Sequence, residues 1–218
     1  MRIVSIVAGA GGMYCGACLQ ASALAAALRR LGEDVLLVPA YTPVRAEEED
    51  VGSGRVVFGG LNVYLQEKSF LARHTPWFLD RLLDHPALLR WIGRLGGSTR
   101  PESLGPLCVS MLRGEEGRQR KELRKLLDWL QSEVRPDVVH LSTALLVGMA
   151  RQISRTLGVP VVSILSGEDS FVDRLPEPYA SQARAVLRER CGDLAAMVAL
   201  NRYYADFMAG YLEVASDR

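Results

Sequence analysis

Short apolar runs alternate along this chain with longer stretches whose apolar residues recur every three or four positions. The first run, at 2–8, is Arg-Ile-Val-Ser-Ile-Val-Ala, and its β-branched residues predict a buried strand. A glycine-rich turn follows at 9–16. Residues 19–30 are rich in Ala and Leu without a breaker, so they predict a helix. Leu24, Leu28 and Leu31 give that helix one apolar stripe, and Gly32 closes it. Val35, Leu36, Leu37 and Val38 form a second buried strand, which Pro39 ends. A strand, a glycine turn, a helix and a strand in this order open a parallel α/β sheet.

The middle of the chain departs from that rhythm. Glu47, Glu48, Glu49 and Asp50 mark a solvated loop, and 55–58 and 62–65 read as strands around Gly59 and Gly60. Thr75 and Pro76 have the form of a helix start. From there Trp77, Leu82, Leu83, Leu88, Leu89 and Ile92 recur at helical spacing, interrupted by Pro86. Residues 93–105 read as a connection, and a second long helix is expected over 112–132. The alternation then resumes. Strands are expected at 136–141, 159–165 and 196–200, and helices at 145–157, at 178–190 and from Tyr203 onward. No repeat, low-complexity linker or change of composition divides the chain. The expectation is one doubly wound α/β domain over 1–218. Its sheet is mostly parallel with helices on both faces, and it carries a helical insert at about 73–132.

Composition narrows the class. Of 218 residues, 49% are hydrophobic and 23% charged, with a net charge of +1. That suits a globular chain whose core needs no metal or disulfide staple. It does not suit a nucleic-acid binder, which carries a strong basic excess. No uninterrupted apolar stretch reaches 18 residues, the length from which a membrane helix is read. Four cysteines (Cys15, Cys18, Cys108 and Cys191) are too few for an extracellular framework, so a cytoplasmic protein is expected. Arg113, Arg118, Arg120, Lys121, Arg124 and Lys125, offset by Glu115, Glu116 and Glu122, read as a solvated helix face or as a peripheral contact with the inner face of a membrane.

In open parallel sheets ligands bind beyond the carboxyl ends of the strands. Chemistry is therefore expected at 9–16, 39–43, 140–144, 166–170 and 201–204. The first turn lacks the dinucleotide fingerprint, since Tyr14 stands where a third glycine belongs and no acid ends the second strand. It also lacks the P-loop, since Ala17 and Cys18 follow Gly16. Gly11 and Gly12 still let backbone N–H groups approach a phosphate at a helix N-terminus. Cys15 and Cys18 form a C-x-x-C at a helix start, which leaves a thiol-redox reading open. Without a second such pair or a histidine pair, no metal site is expected. His140 ends a strand, where a histidine either touches ligand or serves as a structural hydrogen-bonding group. Ser166-Gly167-Glu168-Asp169 supplies either a carboxylate facing the cleft or a capping loop, with Asp169 or Ser170 as the cap.

Several of these pieces, taken in order, resemble family 4 glycosyltransferases of the GT-B fold. They are Gly11-Gly12 with its helix, the stretch from Val35 to Thr42, Pro136-Asp137-Val138-Val139-His140, Gly158-Val159-Pro160-Val161-Val162, Gly167-Glu168-Asp169 and Asn201-Arg202-Tyr203-Tyr204-Ala205. The resemblance implies an enzyme of two Rossmann-like domains that moves a hexose from a nucleotide-sugar, with retention of configuration, to a sugar or lipid-linked acceptor. The N-terminal domain of such enzymes mainly binds acceptor and the C-terminal one binds donor. This chain resembles only the first, so the expectation is an N-terminal half whose donor domain is absent and which alone transfers no sugar. The resemblance places Gly11 and Gly12 against donor phosphates. It places Tyr14, Ser142, Thr143, Glu168, Asp169, Asn201 and Arg202 on the acceptor side, without cofactor or metal. Many members carry a histidine at the Ser142 or the Ser166 position; with serines there, His140 becomes the candidate catalytic base. Two other readings stand beside this one, a thiol-redox protein using Cys15 and Cys18, and a non-catalytic α/β binding module.

Overall fold

The computed structural model describes residues 1–9, 16–41 and 101–215. Within these, five of the apolar runs become strands: β1 (Arg2–Val7), β2 (Asp34–Pro39), β3 (Val138–Leu141), β4 (Val161–Leu165) and β5 (Ala196–Ala199). They form one sheet in the order β2-β1-β3-β4-β5, and every neighbouring pair is parallel. The α-helices among the described residues are α1 (Gly16–Arg30), α2 (Pro101–Leu112), α3 (Arg120–Trp129), α4 (Ala150–Leu157), α5 (Glu168–Val172), α6 (Tyr179–Cys191) and α7 (Arg202–Leu212).

Side chains alternate across a strand, so each strand feeds two cores. Val4, Ile6, Val139, Leu141, Val161 and Leu165 pack with Leu112, Leu126, Ile153 and Leu187 of α2, α3, α4 and α6. Ile3, Val7, Val35 and Leu37 pack with Cys18, Ala21 and Ala25 of α1 on the other face. Helices on both faces of a parallel sheet make this a doubly wound, Rossmann-like α/β fold, as the alternation of elements implied. The chain steps one way from β1 to β2 and the other way from β1 to β3, so the strand order reverses between β1 and β3. Ser5 and His140 are paired across that junction and lie on the α1 face, in phase with Ile3 and Val7.

Two expectations for the insert are corrected. Helix α2 begins at Pro101, inside the stretch read as a connection. Pro101, Gly105 and Pro106 look like breakers, but a proline fits the first position of a helix. Gly105 has a packing reason: a Cβ there would run into the Tyr179 ring of α6. The long helix expected over 112–132 is divided. Helix α2 stops at Leu112, a 3₁₀ turn spans Gly114–Glu116, and α3 starts at Arg120, running into a π turn over Leu130–Val134. Gly114 sits at φ +58°, and a Cβ on it would strike the backbone of Gly148. This close passage, which needs glycine on both sides, is the physical reason for the break. Buried Arg190 of α6 then holds the turn, donating to Glu115 at 3.1 Å and to the Arg113 carbonyl at 2.8 Å.

The helix expected over 145–157 opens instead as a 3₁₀ segment, Ala144–Met149, before α4. Glu122, grouped with the solvated charges, is buried and accepts from Lys125 at 3.0 Å. The strands expected at 55–58 and 62–65, the helix from Thr75 and most of the first glycine turn lie outside the described residues. No helix among the described residues is long and apolar enough to cross a membrane.

Candidate functional site at the strand ends

Pairing of β1 with β3 continues one residue past the strand, where the Ser142 N–H donates to the Ile6 carbonyl at 2.9 Å. By alternation Ser142 then shares the α1 face with His140 and Ser5. All three side chains are buried, at 3% exposure for Ser5 and Ser142 and 7% for His140. Ser5 Oγ lies 2.8 Å from His140 Nδ1. The other ring nitrogen, Nε2, and the Ser142 hydroxyl are buried and find no hydrogen-bond partner among the described residues. Burial pushes the His140 pKa down to about 4, so the ring is neutral at pH 7. A buried polar group left unpartnered costs about 1–3 kcal/mol, and folded proteins leave few of them. Two adjacent instances at the reversal of strand order, where open α/β sheets bind ligands, form a candidate binding site.

Around the ends of β3 and β4 the polar groups are arranged differently. Glu168 is 1% exposed, and its Oε1 accepts from the Thr143 hydroxyl at 2.6 Å and the Ala144 N–H at 2.9 Å. Its Oε2 accepts from the Ser166 N–H at 2.8 Å. One carboxylate thus joins the loop after β3 to the loop after β4. Tyr204 of α7 extends the network, donating its hydroxyl proton to Asp169 at 2.8 Å and accepting from the Gly167 N–H at 2.8 Å. Burial, with the Asp169 hydrogen bond adding to it, raises the Tyr204 pKa above its ordinary value. Asn201 caps α7 by accepting from the Tyr204 N–H at 2.9 Å.

The residues expected on the acceptor side therefore separate into groups. His140 and Ser142 come together with unpartnered atoms. Thr143, Glu168 and Asp169 come together too, but their polar atoms bind one another's loops. Asn201 is a helix cap, and Arg202 is exposed at the first residue of α7. Neither Asp169 nor Ser170 caps α5: Gly167 occupies that position at φ +101°, and Ser170 donates to Asp169 at 3.3 Å. Gly11, Gly12, Tyr14 and Cys15 lie outside the described residues, while Cys18 is buried in the core under α1. No group of three His, Cys, Asp or Glu side chains among the described residues is placed to hold a metal ion.

Two contributors were not singled out from the sequence. Ser5 is the lone polar residue inside the buried part of β1, and that interruption is its signal. Tyr204 lies within the Asn201–Ala205 stretch, but nothing in the pattern marks its hydroxyl as the link between α7 and Asp169. Fold and strand ends together define a Rossmann-like α/β protein with unpartnered polar groups at its switch point. No protein-family model, curated protein or solved structure matches the chain.

Proposed function

We propose that this chain is the acceptor-side domain of a glycosyltransferase, binding a sugar or polyol over the junction of β1 and β3. The observation that carries the proposal is the pair of buried, unpartnered polar atoms there, Nε2 of His140 and Oγ of Ser142. A hydroxyl-rich ligand can both accept and donate at such a pair, and it brings no charge that would need a counter-ion. The order of motifs from Gly11-Gly12 to Asn201-Arg202 supports the assignment to sugar transfer. On this reading the turn at 9–16, ahead of α1, faces the donor's phosphates, because a helix N-terminus favours negative charge. The acceptor hydroxyl attacks the anomeric carbon, the new C–O bond replaces the bond to the nucleoside diphosphate, and the acceptor proton passes to the departing diphosphate oxygen. Glu168 holds the β3 and β4 loops in place for this. The leaving diphosphate needs a cradle that the donor domain supplies.

The test is calorimetric titration of the purified chain with glucose, mannose, myo-inositol and sucrose, alongside UDP-glucose, GDP-mannose and NAD. The expected result is binding of at least one neutral sugar or polyol, its loss in Ser142→Trp, and no turnover of either nucleotide-sugar. Binding of NAD with indifference to every sugar would overturn the proposal.

A further inference from the structure

The Ser5–His140 pair bears on which chemistry the histidine offers. Neutral imidazole carries one proton, and two arrangements satisfy the 2.8 Å contact between Ser5 Oγ and Nδ1. In the first, Nδ1–H donates to Oγ and Nε2 presents a lone pair. The serine proton then has no acceptor among the described residues, where His140 is the hydrogen-bond partner of Ser5, whose side chain is buried. No ligand arriving at Nε2 repairs that defect. In the second, the serine O–H donates to Nδ1 and the ring proton sits on Nε2. The unmet donor capacity of the Ser5–His140 pair is then gathered at one atom, and an oxygen of a bound ligand completes it. Each arrangement leaves one buried donor unmet in the free chain, but the first leaves the Nε2 lone pair unmet as well, so the second, with one defect fewer, is favoured.

We propose that Ser5 fixes His140 as a neutral Nε2–H tautomer, which makes the histidine a hydrogen-bond donor to a ligand oxygen and not a proton acceptor. Ser142, two residues on along the same face, brings a hydroxyl that can accept as well as donate. The pair together suits a ligand hydroxyl, which takes the hydrogen bond from Nε2 and gives its own to Oγ. This specifies the contact within the sugar-binding reading above and rests on it for the ligand, whereas the tautomer itself is a property of the free chain. Its failure is therefore separable from failure of the sugar assignment.

The experiment is a long-range ¹⁵N–¹H spectrum of the histidine-labelled chain at pH 7 without ligand. The chain has three histidines, so the double variant His74→Gln, His85→Gln leaves His140 as the one imidazole. The expected result is a protonated Nε2 and an unprotonated Nδ1. Ser5→Ala then shifts the Nδ1 resonance toward that of a nitrogen that accepts no hydrogen bond. A protonated Nδ1, a charged ring at pH 7, or an Nδ1 resonance indifferent to Ser5→Ala would each overturn the proposal.

Discussion

Two neighbouring stretches of the sheet's carboxyl edge obey the same topology and end differently. Beyond β3 and β4, Glu168, Thr143, Asp169 and Tyr204 satisfy one another, and Asn201 closes the helix that follows. At the junction of β1 and β3, His140 and Ser142 are as deeply buried but leave Nε2 and Oγ unmet. The first corner is a clamp between loops. The second has polar groups whose partners do not come from the described residues of the chain. Position at a strand end is common to both, so position alone does not identify a site. What differs between these two corners is the state of their buried donors and acceptors.

Substitutions should sort by corner. The largest effect is expected from Glu168→Ala, which strands two backbone N–H groups and a threonine hydroxyl in a buried corner. A loss of about 3–5 kcal/mol is expected from urea unfolding, in the range for breaking a buried charged network. A loss under about 1 kcal/mol would remove the clamp from the interpretation.

Acidification is the next lever. His140 titrates near 4 in the folded chain against an ordinary 6.5. Between those values the unfolded chain holds a proton that the folded chain lacks, so stability is fully present above pH 6.5 and declines as the pH falls toward 4. The decline attributable to this ring reaches about 3 kcal/mol, taking 1.36 kcal/mol per pH unit. The difference in unfolding free energy between the parent chain and His140→Gln, followed from pH 7 to pH 4, isolates it. A difference independent of pH would show that the ring is not held neutral by burial.

Smaller effects sharpen the contrast. Tyr204→Phe removes one accepted and one donated hydrogen bond at the clamp and should cost about 1–2 kcal/mol. Ser142→Ala removes a hydroxyl that has no partner among the described residues. It should change stability by less than about 0.5 kcal/mol, or raise it slightly, while weakening sugar binding. A clear loss in Tyr204→Phe beside little or no loss in Ser142→Ala, read by denaturant midpoint, is the expected pattern. A loss of stability in Ser142→Ala like that in Tyr204→Phe would erase the distinction between the corners.

The fold was largely legible because its signals are periodic and local. Five apolar runs of strand length, helices closed by Gly32 and Gly158, and the alternation between them are enough to imply a doubly wound sheet. The break between α2 and α3 was not legible, because it depends on Gly114 meeting Gly148, residues brought together only by tertiary packing. Site positions were legible from the strand-end rule, but their states were not. Glu168 and His140 look alike in sequence, each a polar residue beside an apolar run. Only the partners assembled from β1, the two loops and α7 show that one is consumed and the other is not.

The most direct measurement is a ¹⁵N–¹H map of backbone amides in the free chain during titration with the tightest-binding sugar of the panel. Shifts centred on Ser5, His140 and Ser142, with Glu168 and Tyr204 little changed, are the expected result. Shifts centred on the clamp or on the exposed Tyr203 and Phe207 of α7, with the β1–β3 junction unmoved, would contradict it.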